Sequence, residues 1–421
     1  MADRDDYRKA VVIVDAVAAG LALRDEAKRQ GYLVIGYQSQ PLAYFEELPP
    51  SYRPPYIKDH EYYDEIVIEG DLEKGVELLK GLDLDIRGVM PGSELGVTPA
   101  DFIAHKLDLR CNDPKLISAR RNKVDMKRVV EKAGLRVPKH RDLKSKRDLD
   151  DFIREVSLPI VLKPPTGVGM YNISFCNTVE EAHAGFDKII HQADSLGSVC
   201  DHVNGEEYIS GIEYAADTFS DDGNIFVTDL WRYNRVDTSV ARNQYRDIYM
   251  LPIDDPKYDE LKEYAVDLCK ALGVKYGAAH PELKVDDDGP VMMEVGCRLA
   301  GCHMPQLCRD LSNFDPMASM VKSFCGEPLI VEKPIRYKGH AWIVFCSTEK
   351  RGEIDSFVGL EEIQELNSYH EHFLTYTAGD SVSPTEDLWS NPFYVWLVHE
   401  DRDLLRRDAE MVHRLFDIKV K

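Results

Sequence analysis

The sequence predicts an α/β N-terminal domain followed by α+β domains, and three of its features carry that expectation. A strand, a glycine, a helix and a second strand open the chain. From residue 206 the pattern changes to paired strands separated by turn signals, and the last ninety residues mix strands and helices without a βαβ rhythm.

The opening run places an apolar strand at 11–16, Gly20, a helical pattern through Gln30, then Gly31 and a strand at 32–37. This is the βαβ start of a doubly wound sheet, although one glycine in the turn is too few for a dinucleotide fingerprint. A loop with five prolines between Pro41 and Pro55 precedes two further βα units, with strands near 65–68 and 88–90. Asn112-Asp113-Pro114 breaks any helix and closes a first domain, 1–114.

A second unit is expected over 115–203. Residues 118–134 read as one helix, capped by Ser118 and ended by Gly134, and it carries Arg120, Arg121, Lys123, Lys127 and Arg128. Such a cluster is either a solvated face or an anion site. A strand at 159–163, a loop at 164–170 and a strand at 171–176 follow, and Thr178 with Glu181 forms a capping box for the next helix. The third unit, 204–330, has a hairpin at Asp221-Asp222-Gly223-Asn224, a helix over 257–272, a second hairpin and a helix near 316–324. The fourth, 331–421, has strands near 341–345, 381–382 and 393–399 and a closing helix from Arg402.

The 52 basic and 74 acidic residues give a net charge of −22, which disfavours nucleic acid and anionic membranes as partners. The N-terminal residues carry no signal-like apolar segment, and nine cysteines without a C-x-x-C pair suggest reduced thiols and a cytoplasmic setting.

Chemistry is expected at three places. Lys163, at a strand end before a loop with Gly167 and Gly169, suits a phosphate cradle, the ammonium supplying charge and the glycines admitting backbone N–H groups. It could equally be a plain hairpin turn, and it lacks the form of a Walker loop. The second place is the hairpin through Asp286-Asp287-Asp288-Gly289. If its turn centres on Asp288, paired residue numbers sum to 576, so Glu282 and Glu294 face each other. Facing carboxylates repel unless a cation lies between them, and two oxygen ligands plus phosphates suit Mg²⁺. A slip of one residue would undo this, leaving a solvated acidic hairpin. Arg298 lies at an even offset from Glu294 and could clamp a phosphoryl group, while His280 falls opposite Gly296 and could contact substrate or be structural. The third place is Glu206-Glu207-Tyr208-Ile209-Ser210-Gly211-Ile212-Glu213, an extended segment able to meet an adenine edge and ribose hydroxyls, or simply a strand and turn. Trp231-Arg232-Tyr233-Asn234-Arg235, with Arg242 to Arg246, could form a cationic aromatic rim for an amino acid carboxylate, or an ordinary exposed loop.

Taken in order, Asn122-Lys123, Leu162-Lys163-Pro164 with its glycine loop, Glu207-Tyr208, Glu282 and Glu294-Val295-Gly296-Cys297-Arg298-Leu299 resemble the ATP-grasp enzymes. The subgroup most resembled is the L-amino-acid ligases, dipeptide synthetases of the bacilysin-synthetase type. Ala278-Ala279-His280-Pro281-Glu282, Gly92-Ser93-Glu94-Leu95-Gly96-Val97 and Asn112-Asp113-Pro114 are similar to its landmarks, and the likeness spans about residues 10–325. The resemblance implies ATP-grasp domains with ATP held between two β-sheet subdomains, ATP and Mg²⁺ (or Mn²⁺) as cofactors, amino acid substrates and a homodimer. It implies Lys123 and Lys163 on the phosphates, Gly167 and Gly169 in a flap, Glu207 and Ile209 at adenine, and Glu213 at ribose. Glu282 and Glu294 would bind the metal, Arg298 would stabilise a phosphorylated intermediate, and His280 would orient substrate. Gly296 departs from the asparagine common at that position. The expected activity is a carboxylate–amine ligase forming a peptide bond through an acyl phosphate, as in peptide natural-product synthesis. A nucleotide-binding sensor and a carboxylate kinase are the competing readings.

Overall fold

The computed structural model describes residues 8–17, 19–39, 66–167, 172–193, 199–388 and 390–421. The proline-rich segment between Pro41 and Pro55 lies outside these. Strands β1 (Lys9–Val14), β2 (Leu33–Gln38), β3 (Ile66–Glu69) and β4 (Asp85–Pro91) form a parallel sheet in the order β3-β2-β1-β4. Apolar side chains line both faces of β1, as a parallel strand covered by helices requires. Val11 and Ile13 pack with Leu23 and Ala27 of α1 (Ala19–Arg29) and with Met320 and Phe324 of a later helix. Val12 and Val14 point the other way, toward Val76 and Leu79 of α2 (Leu72–Gly81) and Ile103 of α3 (Val97–Lys106). The loop after β4 is pressed against the start of α1: a Cβ on Gly20 would lie 2.2 Å from the Gly92 carbonyl oxygen. Only glycine permits that approach, and it sets the position of Ser93 and Glu94.

The expected helix at 118–134 is shorter. Helix α4 spans Lys123–Lys132, and its N-cap is Asn122, whose side chain accepts from the backbone N–H groups of Val124 and Asp125. Ser118 instead begins a 3₁₀ turn, Ser118–Arg120. Asn122 competes successfully because its amide oxygen satisfies two of the orphan donors of the first turn.

A second sheet, β5-β8-β6-β7, joins β5 (His140–Leu143), β6 (Ile160–Lys163), β7 (Ser174–Cys176) and β8 (Val203–Glu207). Helices α5 (Lys146–Val156) and α6 (Val179–Ile189) cover one face, where Leu149, Phe152, Ile160, Leu162, Ala182 and Phe186 form the core. Strand alternation turns Val161 and Lys163 to the uncovered face.

The third sheet has eight strands in the order β13-β12-β9-β10-β11-β14-β18-β16. They are β9 (Ile212–Asp221), β10 (Asn224–Val236), β11 (Gln244–Met250), β12 (Gly277–Asp286), β13 (Gly289–Gly296), β14 (His340–Cys346), β16 (Tyr369–Leu374) and β18 (Phe393–His399). Helix α4 and helix α7 (Tyr258–Ala271) bury one face of its first half, with Met126, Val130, Leu261, Leu268, Leu283 and Met292 in contact. Helix α8 (Met304–Leu311) packs on the second half, α9 (Pro316–Cys325) supplies the Met320 and Phe324 contacts with β1, and α10 (Leu360–Gln364) is a short turn. On the reverse side, α11 (Arg402–Leu415) sets Leu405, Ala409 and Val412 against β14 and β18. A small sheet of β17 (Ser381–Val382), β15 (Gly352–Val358) and β19 (Asp417–Val420) completes the chain.

Two expected domain limits meet this topology directly. The one at 203/204 falls inside β8, and the one at 330/331 separates strands of a single sheet, because β11 pairs with β14. Among the described residues no helix is long and apolar enough to cross a membrane. All nine cysteines are free, seven of them buried.

Candidate active site

The hairpin β12–β13 pairs Glu282 with Glu294 and His280 with Gly296, the register expected from the sequence. The route to it differs. Asp286 pairs with Gly289 and Leu283 with Met292, so the turn is Asp287-Asp288 and the numbers there sum to 575. Met293 is an extra, bulged residue that restores the sum to 576 beyond it. The bulge also reverses which side chains point inward. Met292 and Val295 both reach the helix-covered core, leaving Glu294 on the opposite face with Glu282. Arg136 fastens the turn by a bidentate pair with Asp286 at 2.6 and 2.7 Å.

These carboxylates line a cleft between the second and third sheets that, together with the solvent at its mouth, takes in about 1070 Å³. Three lysines, from α4 and β6, gather at one side of it. Lys123 opens α4, with its backbone N–H bonded to Pro165 O, and its Nζ lies 2.6 Å from Glu294 Oε1 and 3.0 Å from Gly167 O. Gly167 adopts φ +106°, which a larger residue would resist. Gly169 lies outside the described residues. Lys163 Nζ sits 2.9 Å from Glu206 Oε1, and Lys127 Nζ reaches the same oxygen at 2.6 Å. Burial alone would raise the Glu206 carboxyl, but the Lys127 and Lys163 ammoniums outweigh it and hold it at about 2. Burial lowers Lys127 to about 8 despite Glu206. Lys127 also donates to the carbonyl of the bulged Met293, 3.1 Å away.

The adenine-facing expectation is redistributed. Val161 pairs with Glu206 and Ile160 with Glu207, so Glu206 shares the cavity face while Glu207 shares that of the apolar core residue Ile160. Glu207 accepts from the Lys139 backbone N–H at 2.7 Å and is not among the cavity's lining residues. Ile209 does line it, beside Tyr208 and Phe175, and its carbonyl accepts from Lys284 Nζ at 3.1 Å. Glu213 also lines the cavity, but Arg235 ion-pairs with it and lies 3.6 Å over the Tyr245 ring. Of the expected cationic rim, Tyr233 and Arg235 are at the site, whereas Trp231 is wholly buried in the core and Arg246 pairs with Asp247 and Glu410. Trp231 packs with Met304, Leu307 and Ile343, and its buried Nε1–H is satisfied by Asp229 at 2.6 Å.

His280 Nδ1 lies 2.6 Å from Asp217, and Nε2 lies 3.4 Å from Tyr233 OH and 3.6 Å from Glu282. Burial lowers the His280 pKa, but Asp217 and Glu282 outweigh it and raise it to about 9. Arg298 donates from Nε to Glu94 at 3.0 Å and from Nη1 to Leu299 O at 3.0 Å. A Cβ at Gly296 would stand 3.1 Å from the Arg298 guanidinium carbon, so the glycine that departs from the ATP-grasp pattern makes room for that arginine.

The residues fit a nucleotide with a divalent cation. Glu206 Oε2 is buried without a hydrogen-bond partner among the described residues, a polar atom left over inside the cavity wall. No group of three or more His, Cys, Asp or Glu side chains converges on a metal position among the described residues. A pair of carboxylates is what Mg²⁺ needs when phosphates and water supply its other ligands.

A second cavity, about 1190 Å³ with the solvent at its mouth, adjoins the first and shares Tyr245, His280, Glu282 and Arg298 with it. Ser93 and Glu94 enter it from the loop after β4, and Thr375, Leu388 and Tyr394 from the last part of the chain. Sequence reasoning named Lys127 only within a cationic cluster, Glu206 only within an extended segment and Glu94 only within a landmark motif, and gave no individual role to these or to Asp217. Lys127 was findable, lying one turn beyond Lys123 on the same helix face. Glu206 follows from alternation once Lys163 is placed inward.

Residues 156–306 match the model of the ATP-grasp domain. Over 417 residues, 95% of this chain and 94% of the other, the sequence is 24% identical to dapdiamide A synthase of Enterobacter agglomerans. It is 22% identical to alanine–anticapsin ligase of Bacillus amyloliquefaciens over 328 residues, covering 72% of this chain and 67% of that one. The fold is that of the L-amino acid ligase from Bacillus licheniformis, with a TM-score of 0.78 at 18% identity over 99% of this chain and 100% of that one.

Proposed function

We propose, from the premise that this chain is an ATP-grasp protein, that it is a Mg-ATP-dependent carboxylate–amine ligase joining two amino acids or amino-acid-like substrates. The observation that carries the reading is the meeting of two cavities at Glu282, His280 and Arg298. One has the lysines and facing carboxylates of a triphosphate site, and the other has room for a small carboxylate and an amine. Relatives named for dapdiamide A and for joining alanine to anticapsin point to a small peptide-like amide as product.

In the first step a substrate carboxylate oxygen attacks the γ-phosphorus, and ADP leaves as the acyl phosphate forms. In the second, a neutral amine attacks the acyl carbon, expelling phosphate and losing a proton. Glu282 and Glu294 would hold Mg²⁺, which would neutralise phosphate charge there. Lys123 and Lys163 bind phosphate oxygens, Lys123 exchanging its contact with Glu294 for them. Arg298, oriented by Glu94, faces the oxygens that gain charge in both transition states. Ile209, Tyr208 and Phe175 form the base end, and the free oxygen of Glu213 is available to ribose. Asp217 fixes the His280 ring so that Nε2 faces the junction, where it orients substrate. Positioning and electrostatics do most of this work.

The test is incubation of the purified chain with Mg-ATP and pooled amino acids. Amino-acid-dependent release of ADP and phosphate, with an amide product by mass spectrometry, is expected. A stable phosphorylated substrate would identify a kinase, absence of turnover a nucleotide sensor, and AMP with pyrophosphate would exclude the acyl phosphate route.

A further inference from the structure

The second cavity is chemically divided. Among the described residues its charged or imidazole side chains are Glu94, His280, Glu282 and Arg298. Three of these also line the first cavity, and Glu94 is bonded to Arg298, so the charge gathers at the junction. Ser93 Oγ, 7% exposed and without a hydrogen-bond partner among the described residues, lines this cavity as well. It is a hydroxyl left for the head group of a ligand. The side chains that line only the second cavity include Ile248, Met304, Leu388 and Tyr394, all apolar or aromatic, and Thr375, whose hydroxyl is already donated to Asn391 O.

This wall is held firmly. Tyr394 and Trp396 of β18 face the same side, and their rings meet edge-on at 5.2 Å. Trp396 Nε1 donates to Cys302 O at 2.7 Å, and its indole stacks on His303 at 4.4 Å. The loop ahead of α8 is thereby pinned to β18. Tyr394 packs further on Phe345 and Phe373.

Resting on the ligase reading, we propose that Leu388, Tyr394 and Thr375 select the side chain of one amino acid substrate, and that they select a large apolar one of the leucine, methionine or phenylalanine class. The substrate's charged head group lies at the Ser93, His280 and Arg298 end, and its side chain extends toward β18. An aspartate or lysine side chain would be stripped of water there without a partner. Glycine or alanine would leave the wall unfilled.

The full chain is assayed with Mg-ATP and single and paired amino acids, following phosphate release. Leucine, methionine or phenylalanine as one partner is expected to show a KM roughly tenfold or more below that of alanine, aspartate or lysine. Leu388→Asp is expected to raise the KM for the large apolar substrate by about tenfold or more, with the KM for ATP as internal reference. Leu388→Ala, a milder change measured beside it with a melting curve, is expected to narrow the preference for large over small side chains. A flat amino acid profile, or Leu388 variants that fold and leave the profile unchanged, overturns this inference while the ligase reading stands. If no amino acid stimulates ATP turnover, the ligase reading falls and this inference with it.

Discussion

Glu282 and Glu294 stand directly opposite each other on one face of the β12–β13 hairpin because Met293 is bulged out of the ladder between Glu294 and Met292. Two like charges are thereby held at one end of the cavity that also receives Lys123 and Lys163.

Replacing one of the two should therefore act on metal use before it acts on folding. Glu294→Gln is expected to raise the Mg²⁺ concentration needed for half-maximal phosphate release by more than the roughly 10–100-fold typical of losing an outer partner of a metal ligand. A Mg²⁺ titration of ATP turnover checks it. The melting temperature should change little, since the amide oxygen can still accept from Lys123 Nζ while the repulsion with Glu282 is relieved.

Deleting Met293 is a sharper test of the bulge. Glu294 would then follow Met292 directly, so plain strand alternation would still set it opposite Glu282 on the cavity face, while the Met293 carbonyl that accepts from Lys127 Nζ would be lost. Turnover with an ordinary Mg²⁺ requirement is therefore expected to survive, at a cost of about 1.5–3 kcal/mol for the hydrogen bond that buried Lys127 loses, read by urea unfolding.

Glu206 is the stability counterpart. Its carboxyl is held at about 2 against an ordinary 4.5, because the Lys127 and Lys163 ammoniums outweigh the burial that would raise it. A depressed carboxyl contributes stability above 4.5 that is lost as the pH falls from 4.5 toward 2. Glu206→Ala should cost about 3–5 kcal/mol at neutral pH, because two buried ammoniums lose their partner. It should also flatten the acid limb of a pH series of urea midpoints.

Arg298→Lys should lower kcat by about 10²–10³-fold with a much smaller change in the KM for ATP. A lysine cannot hold the Glu94 and Leu299 contacts and face phosphate together. Steady-state kinetics at saturating amino acids separates the two parameters.

Gly20→Ala would place a methyl carbon 2.2 Å from the Gly92 carbonyl oxygen and push away the loop that carries Glu94. A loss of about 1–3 kcal/mol is expected, with lower kcat, although residue 20 touches no substrate.

Much of this was legible in the sequence, for identifiable reasons. The parallel N-terminal sheet announced itself through apolar strands and glycine-punctuated helices, and the β12–β13 pairing through residue numbers about a turn. That pairing was reached by assuming a turn centred on Asp288, whereas a turn at Asp287-Asp288 plus a bulge at Met293 gives the same partners. Bulges carry no single-residue signature, so such a compensation is invisible without coordinates. Lys127 and Glu206 received no individual role because fully buried lysines and glutamates are rare outside ion pairs, and their pairing links residues far apart in the chain. The start of α4 was misplaced because Ser118 and Asn122 are both good caps, and only the tertiary contact of Lys123 N–H with Pro165 O distinguishes them.

The hydrogen bonding of β11 to β14 makes the hairpin with Glu282 and Glu294 and the proposed selecting wall parts of one continuous plate. A chain cut after residue 330 would leave β11 as a raw edge in mid-sheet, an invitation to intermolecular strand pairing. The terminal segment is therefore not an exchangeable cassette. A new substrate preference in such a scaffold has to arise by point changes on strands already in place, not by recombination with another protein's tail.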